Sequence, residues 1–583
     1  MKPQLQMRIA VWQDIVQPVL LWVGRLIDKS VYIGLSHGQT ARLVGILGIV
    51  LATKIRAQVV TPNTNLTERA EQIIAVARCD ATPQFHGARV WGIRPNTPLL
   101  RTLSATGDRP LTFSAEGLPN GLSIDSATGI VRGSLSATGI YQFQARARNS
   151  AGGAETAIRI QCGDRLALLP PMGWNSYDTF GDSITEAELM TNAAWLKQHL
   201  QPYGWDIVVV DIRWYKSKYG DQLDRCGRFL PATNRFPDVV NGEGFGPLAD
   251  RIHAMGLRFG IHIMRGIPRQ AVEQNTPIAD SRFTAREAVR PEGDPNRECS
   301  WNNDMYGVDA TTEAGEAWYA SLAQQYAAWG IDYIKCDDMS SLHRGVMYDP
   351  VELEALSTHL ARSGRSIILS LSPGETPVNC GPHIKRFANL WRISNDFWDR
   401  WGCLDHNFDL FAAWLPEAGP GHWPDGDMAP LGHIALRSGD SPPNRWTRFT
   451  QDEQMTLISL LAIAPSPLML GMNLPDNDEW TTALLTNPEV LEVNQDSLGA
   501  AARRMTGPPV PAETWMKQLA DGAFAVGLFN RSGQPVHVKF PWRNLGFGSV
   551  PEVRDLWSRR TLPRFETFVV DLAPHGCTLL RVK

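Results

Sequence analysis

The segment GIDYIKCDDM, residues 330–339, is an apolar, strand-like run that ends in charged side chains. Side chains in a strand alternate between its two faces, so Lys335 and Asp337 share one face while Cys336 and Asp338 share the other. A buried strand does not carry a cation and carboxylates at its end unless these groups meet a partner there. The segment therefore predicts a buried parallel strand whose carboxyl end opens onto a polar site.

Seven further apolar runs occur in the chain, and segments with helical periodicity separate most of them. Alternation of this kind predicts a parallel (β/α)8 barrel, the TIM barrel fold, over residues 169–495. An open, doubly wound α/β sheet is the structural alternative. The first helix is expected to begin behind a capping box formed by Ser183 and Glu186. The seven runs lie near Gly173 and at residues 206–211, 258–264, 366–372, 390–396, 421–428 and 466–472.

The chain on either side of the barrel has the pattern of short strands and turns. Residues 85–165 contain the alternating run YQFQARARN (141–149) and many turn residues, which predicts a small β-sandwich. The stretch LPNGLSIDSATGIVRGSL (118–135) resembles immunoglobulin-like (Ig-like) domains. Residues 500–583 predict a C-terminal antiparallel β-sandwich in the same way. The expected fold class is therefore α/β, a (β/α)8 TIM barrel flanked by an N-terminal Ig-like β-sandwich and a C-terminal antiparallel β-sandwich. We expect the Ig-like domain to act as a spacer.

Residues 1–58 differ from the rest of the chain and have the pattern of an export leader. The run RLVGILGIVLA (42–52) follows a cation, resembles the apolar part of a secretory signal and is too short to span a bilayer. Lys54 and Arg56 after this run count against a standard signal peptide. We expect export to the periplasm or the extracellular space, without stable membrane insertion after processing; tethering by an uncleaved leader is the alternative.

Composition and motifs exclude several classes of function. The 583 residues carry a formal net charge of -4, so there is no basic excess that would follow a phosphate backbone, and we expect no nucleic-acid partner. The 8 cysteines are scattered without a C-x-x-C pair or zinc spacing. Phosphate-binding and dinucleotide-binding fingerprints are also missing from the places where they would act. These patterns therefore give no indication of a zinc site or of a nucleotide-binding loop.

Three of the predicted barrel strands end in a carboxylate, at Asp211, Asp337 and Asp396. The carboxyl ends of all strands in a barrel open onto one face, so these side chains should converge. Lys335 accompanies Asp337, and Arg392 accompanies Asp396. A carboxylate beside a cation keeps its charge and a poorly solvated one takes up a proton, so two such groups can act as nucleophile and acid/base. The alternative for any single strand-end aspartate is a helix cap or a turn.

Five segments of the chain resemble, in their order, the motifs of glycoside hydrolase family 27, the retaining α-galactosidases and their relatives. The resemblance begins near Leu169 and continues to the C-terminus, and it implies a (β/α)8 barrel followed by an antiparallel β-domain. The segments are PPMGWNSYDTFG (170–181), IDYIKCDD (331–338), WRISND (391–396), GHWPDGDM (421–428) and NPEVLEVNQDSLG (487–499).

The resemblance implies a retaining, exo-acting α-glycoside hydrolase that acts on an α-linked oligosaccharide or polysaccharide, with α-galactosidase activity as the first expectation. An α-glucan hydrolase or an arabinopyranoside hydrolase of the same family is the alternative within the enzyme class. A catalytically dead carbohydrate-binding protein is the alternative from another class, and it would require one catalytic acid to be missing.

The resemblance also implies roles for individual residues. Asp337 would be the nucleophile, Asp396 the acid/base, and the two carboxyl groups of such a retaining pair lie about 5 to 5.5 Å apart. Lys335 and Arg392 would hold sugar hydroxyls and the two acids. The resemblance also implies that no metal and no organic cofactor is required. The other candidates for substrate binding are Trp174 as the aromatic wall of the pocket, Asp211, Trp214, His262, Asp425 and Asp427.

The chain departs from the family pattern at three places. The second of two adjacent acids after the second strand is Ile212 here, so one polar contact to the sugar is lost. The third strand brings His262 towards the mouth, as a hydroxyl donor or as a structural histidine. Met339 replaces a cysteine that usually lies two places after the nucleophile, so the active-site disulfide of the family should be absent. A site that lacks a partner for one hydroxyl can be redirected to another sugar.

Overall fold

The structure is a computed structural model that describes residues 66–77, 80–218, 220–239, 244–298, 302–339, 348–505 and 512–583. The predicted export leader, residues 1–58, lies outside the described residues, and so do Cys79 and Cys299. Among the described helices, none has the length and apolar character needed to cross a bilayer. The six described cysteines are all free thiols.

A helix, α1 (Glu68–Val76), precedes an N-terminal β-sandwich of one four-stranded and one three-stranded sheet, accompanied by a two-stranded pair. The alternation predicted for residues 141–149 is confirmed, because Phe143, Ala145 and Ala147 are buried in the core between the sheets. The strands are β1 (Gln84–Phe85), β2 (Val90–Ile93), β3 (Leu99–Thr102), β4 (Ala105–Thr106), β5 (Thr112–Glu116), β6 (Leu122–Ile124), β7 (Ile130–Gly133), β8 (Gly139–Asn149) and β9 (Gly152–Cys162).

The central domain is an eight-stranded parallel sheet that closes on itself. Its ring is completed at Ala429, whose N–H donates to the carbonyl of Met469 (2.7 Å) while the N–H of Gly471 donates to the carbonyl of Ala429 (3.2 Å). The predicted TIM barrel is confirmed, and the open doubly wound sheet is excluded. The barrel strands are β10 (Met172–Asn175), β11 (Ile207–Val210), β14 (Arg258–Met264), β17 (Tyr333–Asp337), β18 (Ile368–Leu371), β19 (Leu390–Arg392), β20 (Trp423–Asp425) and β23 (Leu468–Leu470).

Short hairpins and helices lie in the connections between the barrel strands, and two further helices follow the last strand. The hairpin strands are β12 (Lys216–Ser217), β13 (Gly220–Asp221), β15 (Ile267–Pro268), β16 (Met305–Tyr306), β21 (His433–Ile434) and β22 (Arg445–Trp446). The helices are α2 (Tyr177–Phe180), α3 (Glu186–His199), α4 (Gly246–Ala254), α5 (Arg269–Gln274), α6 (Ala285–Ala288), α7 (Glu313–Ala328), α8 (Pro350–Arg362), α9 (Gly381–Phe387), α10 (Trp401–Trp414), α11 (Gln451–Ile463), α12 (Glu479–Leu485) and α13 (Pro488–Asn494).

The two faces of strand β17 separate as the alternation predicts. Tyr333 packs inside the barrel with Val209 and Met469, whereas Ile334 and Cys336 belong to the apolar layer shared with the helices. Lys335 and Asp337, which have the same parity as Tyr333, therefore face the interior. This orientation places a cation and a carboxylate at the carboxyl end of the barrel.

The capping box of helix α3 lies two residues later than expected. The side-chain oxygen of Thr185 accepts a hydrogen bond from the N–H of Glu188, and the carboxylate of Glu188 accepts one from the N–H of Thr185 at 2.9 Å. Ser183 instead donates its hydroxyl to the carbonyl of Phe180 (2.6 Å). Glu186 does not serve the cap, because its carboxylate binds Arg251 at 2.6 Å. The prediction of a box from Ser183 and Glu186 was therefore wrong.

The C-terminal domain is an antiparallel sandwich of a six-stranded sheet and a two-stranded ribbon, as predicted. Its core contains Val526, Leu528, Phe540, Trp542 and Phe568. The strands are β24 (Arg503–Met505), β25 (Glu513–Gln518), β26 (Phe524–Phe529), β27 (Val536–Pro541), β28 (Val553–Asp555), β29 (Arg560–Thr561), β30 (Thr567–Leu572) and β31 (Cys577–Val582).

Candidate active site

A cavity of about 440 Å³ lies where the carboxyl ends of the barrel strands meet. Polar and charged side chains from several strands line it, together with a few aromatic and apolar ones. Active sites of TIM barrels form at this end, because the loops that follow all eight strands converge there. Six of the predicted site residues line the cavity: Asp211, Lys335, Asp337, Arg392, Asp396 and Asp427.

Asp337, the last residue of β17, is a buried and ionised carboxylate. Its Oδ2 atom lies 3.0 Å from Nε2 of His262. Burial alone would raise the pKa of Asp337, but the charges of His262 and Lys335 and the hydroxyl of Ser372 outweigh it. The resulting pKa lies well below the usual range of an aspartate. Asp337 therefore stays deprotonated at the pH values at which enzymes act.

Asp396, in contrast to the buried Asp337, is exposed, with 67% of its side chain accessible to solvent. One oxygen, Oδ1, accepts a hydrogen bond of 3.2 Å from Nη2 of Arg392. Arg392 is itself buried, and its Nη1 atom lies 2.8 Å from Oδ1 of Asp427. A carboxyl group at this position can exchange protons with water and with a group that enters the cavity.

Lys335 and Asp211 form a buried ion pair on one side of the cavity. Nζ of Lys335 lies 2.9 Å from Oδ2 of Asp211, and Nδ2 of Asn175 donates to the same oxygen at 2.7 Å. Burial opposes the charge of Lys335, but Asp211 and Asp337 outweigh it and raise the lysine pKa. Burial would also raise the pKa of Asp211, yet Lys335 and His262 hold that pKa below its usual value. Both groups therefore remain charged and fixed in orientation.

Asp425 does not line the cavity, in contrast to its predicted role in substrate binding. It ends strand β20, and its Oδ1 atom accepts the N–H of Asp427 at 2.9 Å. Asp427 has a left-handed φ of 80°, and its Oδ2 atom accepts the N–H of Phe397 at 2.8 Å. Burial and the neighbouring Asp427 raise the pKa of Asp425 to about 6. Asp425 thus holds the loop that presents Asp427 to the cavity.

Trp174 and Trp214 are not cavity residues either. Trp174 is fully buried outside the barrel wall, where its Nε1–H donates to the carbonyl of Met472 (2.7 Å) and its ring meets Phe180 edge to face. Trp214 donates its Nε1–H to the carbonyl of His262 (2.7 Å) and packs among aromatic side chains such as Phe245. In contrast to their predicted roles in sugar binding, neither tryptophan lines the cavity.

His262 is completely buried and does not reach the cavity surface. It pairs in register with Lys335 across strands β14 and β17, so its ring lies inside the barrel beside Asp337. Of the two interpretations of this histidine, the structure supports the structural one. Its contact with the nucleophile candidate gives it an electrostatic effect on the site.

Several cavity residues were missed in the sequence. Tyr177 lies three residues after Trp174, and its ring centroid is 5.7 Å from Nζ of Lys335. Asp178, the next residue, and Trp398 also line the cavity. The signal was their position in the loops that follow strand ends, because these loops form the active site of a barrel. Within the described segments, no group of His, Cys, Asp and Glu side chains has the arrangement of a metal site.

Comparison with known proteins agrees with this arrangement. Two α-galactosidase family models match the chain: α-galactosidase A over residues 314–496 and the α-galactosidase C-terminal β-sandwich domain over residues 510–582. An Ig domain model matches residues 93–161. The crystal structure of Abp, a family 27 β-L-arabinopyranosidase from Geobacillus stearothermophilus, is 43% identical, with a TM-score of 0.68 over 72% of this chain and 97% of that one. The chain belongs to glycoside hydrolase family 27.

Curated α-galactosidases are also similar to the chain. The α-galactosidase of Oryza sativa is 28% identical over 76% of this chain and 91% of its own length. The α-galactosidase of Cyamopsis tetragonoloba is 28% identical over 71% of this chain and 86% of its own length. The protein is therefore an α-galactosidase-like glycoside hydrolase, and the resemblance seen in its motifs is confirmed.

Proposed function

We propose that this family 27 hydrolase removes terminal β-L-arabinopyranosyl residues with retention of the anomeric configuration, and that α-D-galactosides are its second-best substrates. The two sugars have the same ring configuration, and they differ only in the hydroxymethyl group on C5 that galactose carries. A pocket for one therefore fits most of the other, and the surroundings of C5 decide between them.

In the proposed mechanism, the carboxylate of Asp337 attacks the anomeric carbon while the carboxyl group of Asp396 gives its proton to the departing glycosidic oxygen. The bond to the aglycone breaks and a glycosyl ester of Asp337 forms. Asp396, now a carboxylate, takes a proton from water, and the resulting hydroxide attacks the anomeric carbon and releases Asp337. Two inversions give net retention.

The environments of the two acids support this division of roles. A nucleophile must be deprotonated before the substrate arrives, and the low pKa of the buried Asp337 meets that condition. An acid/base must exchange protons with water in each cycle, and the open position of Asp396 at the cavity permits this. Lys335, Arg392 and Asp427 line the same cavity and offer donors and an acceptor to sugar hydroxyls. The presence of both acids argues against a catalytically dead binding protein.

The preference for a pentopyranose rests on one observation, the position of Ile212. This side chain lines the cavity immediately after Asp211 and packs against Met264 and Met305. An apolar surface cannot accept a hydrogen bond from a hydroxymethyl group, and a buried hydroxyl without a partner costs about 1–3 kcal/mol. A sugar without that group avoids the cost. The similarity to the arabinopyranosidase of Geobacillus stearothermophilus supports the same choice.

The second candidate, α-D-galactosidase activity, is favoured by the curated relatives from Oryza sativa and Cyamopsis tetragonoloba. It is also compatible with Asp211, Lys335 and Asp427, which do not depend on the C5 substituent. An α-glucan hydrolase of the same family has no specific observation in its favour and serves as a further arm of the test.

The test is a comparison of kcat/KM on p-nitrophenyl β-L-arabinopyranoside, α-D-galactopyranoside and α-D-glucopyranoside. We expect the arabinoside to be preferred over the galactoside by about ten-fold or more, as one unpaired hydroxyl implies. The matched variant Ile212→Asp restores an acceptor and should shift the preference towards the galactoside. A wild-type enzyme that prefers the galactoside, or a ratio that Ile212→Asp leaves unchanged, contradicts the proposed specificity. Asp337→Asn controls for contaminating activity.

We also propose that the protein acts after export, on the ends of oligosaccharide or polysaccharide chains. The leader-like pattern of residues 1–58 supports export. Trp398, a half-buried aromatic side chain on the cavity wall, offers a surface for a further sugar unit. Fractionation of the producing cells tests the location, and recovery of the full-length chain in the cytosol alone would contradict it.

A further inference from the structure

Asp178 is a buried acid on the wall of the cavity, outside the set of residues that the proposed mechanism uses. The residue is 2% exposed and lines the cavity together with Tyr177. Among the described residues, no group forms a hydrogen bond with its carboxyl group, and its Oδ2 atom is buried without a partner. A buried polar group without a hydrogen-bond partner costs free energy. Binding of a ligand that enters the cavity and supplies this hydrogen bond would therefore be favourable.

The backbone around Asp178 fixes the position of its carboxyl group. Its main-chain carbonyl accepts the N–H of Ala435 at 2.8 Å. The next residue, Thr179, donates its hydroxyl to the carbonyl of Gly471 at 2.7 Å. The carboxyl group itself packs against Gly471, where a Cβ atom would lie only 2.1 Å from Oδ2. The absence of a side chain at Gly471 therefore provides the space that this acid occupies.

The surroundings of Asp178 favour its neutral form. Burial raises its pKa well above the usual value, and the negative charges of Asp427, Asp211 and Asp396 act in the same direction. Lys335 acts against them without reversing the effect. A neutral carboxyl group can donate through its O–H and accept through its carbonyl oxygen, unlike the carboxylates around it, which only accept.

We propose that Asp178 is a specificity-determining residue whose carboxyl group binds a hydroxyl group of the sugar in the cavity. The ligand class is a neutral pyranose, because a hydroxyl can satisfy both the donor and the acceptor of this acid without bringing further charge to an acidic site. The identity of the sugar rests on the proposed function, whereas the contact itself does not.

Binding of free monosaccharides tests this contact separately from hydrolysis. Calorimetry would give the Kd of L-arabinose, D-galactose and their 2-, 3- and 4-deoxy analogues for the full-length wild type, Asp178→Asn and Asp178→Ala. Asparagine keeps a donor and an acceptor of the same shape, and alanine removes both. Asp182→Ala, an exposed aspartate four residues further along the chain, is the control for general effects of substitution.

For Asp178→Ala we expect a Kd that is about ten-fold higher than that of the wild type, and for Asp178→Asn a Kd within about three-fold. For one deoxy sugar, the one that lacks the partner hydroxyl, wild type and Asp178→Ala should bind equally.

A structural defect would weaken the binding of all the sugars alike and would lower the unfolding temperature, and that result overturns the inference. Wild-type-like binding by Asp178→Ala, or no sugar binding by the wild type, also overturns it. A wild type that binds these sugars but hydrolyses none of the test glycosides contradicts only the proposed function.

Discussion

Nε2 of His262 lies 3.0 Å from Oδ2 of Asp337, across the neighbouring strands β14 and β17, and both residues are shielded from bulk water. The histidine is too deep to touch a sugar in the cavity, so its effect on the reaction passes through the carboxylate. Its charge contributes to the low pKa of Asp337 against the opposing effect of burial. The first prediction concerns this pair.

Replacement of His262 by asparagine should move the acidic limb of the kcat/KM profile to higher pH. The nucleophile must be ionised, so activity is lost as the pH falls through the pKa of Asp337, and a higher pKa moves that loss upward. The measurement is a pH–rate profile with an aryl glycoside, and His406→Asn, a half-exposed histidine, is the control. An unchanged acidic limb in His262→Asn would show that the contact does not tune the nucleophile.

Replacement of Asp337 by alanine should lower kcat by about 10³-fold or more, because no glycosyl ester can form. Added azide would then attack the anomeric carbon directly and give a glycosyl azide of inverted configuration. The product is identified by NMR. An azide product of retained configuration would assign the nucleophile to another residue.

Replacement of Asp396 by alanine should affect substrates according to their leaving groups. A 2,4-dinitrophenyl glycoside needs little protonation, so its kcat should fall far less than that of a natural oligosaccharide. Azide should here give a product of retained configuration, because the ester of Asp337 still forms. Equal loss of activity on both classes of substrate would count against the acid/base role.

Replacement of Asp332 by asparagine should destabilise the barrel in a pH-dependent way. This buried residue, next to strand β17, binds Arg365 at 2.6 Å and accepts the N–H of Phe259 at 2.9 Å. Burial opposes its charge, but Arg365 and His253 lower its pKa from 3.8 to about 2. The carboxylate therefore contributes stability above pH 3.8, and this contribution is lost as the pH falls towards 2.

At pH 7 the loss of this carboxylate should cost about 3 kcal/mol, because it leaves the largely buried guanidinium of Arg365 without its ion-pair partner. The difference from the wild type should shrink as the pH falls below 3.8. Scanning calorimetry over this range is the measurement. Asp571→Asn, which removes an exposed partner of His537, should change little at any pH. A constant difference between Asp332→Asn and the wild type would refute the linkage.

Lys517 on strand β25 should make the stability rise with pH in the alkaline range. Its buried Nζ atom donates to the carbonyl of Val493 at 2.6 Å, and burial lowers its pKa from 10.5 to about 7. Between these two values the unfolded chain binds more protons than the folded one, so stability increases with pH. Lys517→Met should lack this increase in unfolding temperature. An equal slope in both proteins would show that the lysine is charged when folded.

The convergence of charged residues could be predicted because parallel strands in a barrel share one open end. Asp211, Lys335, Asp337 and Arg392 were identified from their positions at or just beyond the ends of apolar runs, and all of them line the cavity. Nothing more than strand direction was needed for this step.

The orientation of Trp174 could not be predicted in the same way. Barrel strands are apolar on both faces, so the run that contains this residue carries no alternation that distinguishes inside from outside. The register between the strands decides which side chains face inward. Gly173 pairs with Ile207 and Asn175 pairs with Val209, and Ile207 and Val209 face the barrel interior. Trp174 therefore faces the helices. The burial of Asp178 was equally hidden, because it depends on the missing side chain of Gly471, which is remote in sequence.

The bridge between Ala429 and Leu470 closes the barrel between strands β20 and β23, and its two residues lie close to Asp427 and Gly471 along the chain. The carboxyl group of Asp178 packs against Gly471, and Asp427 lies two residues before Ala429, so both of these cavity residues adjoin the point where the ring closes. A sugar that contacts both residues should therefore stabilise the closed ring and slow its opening.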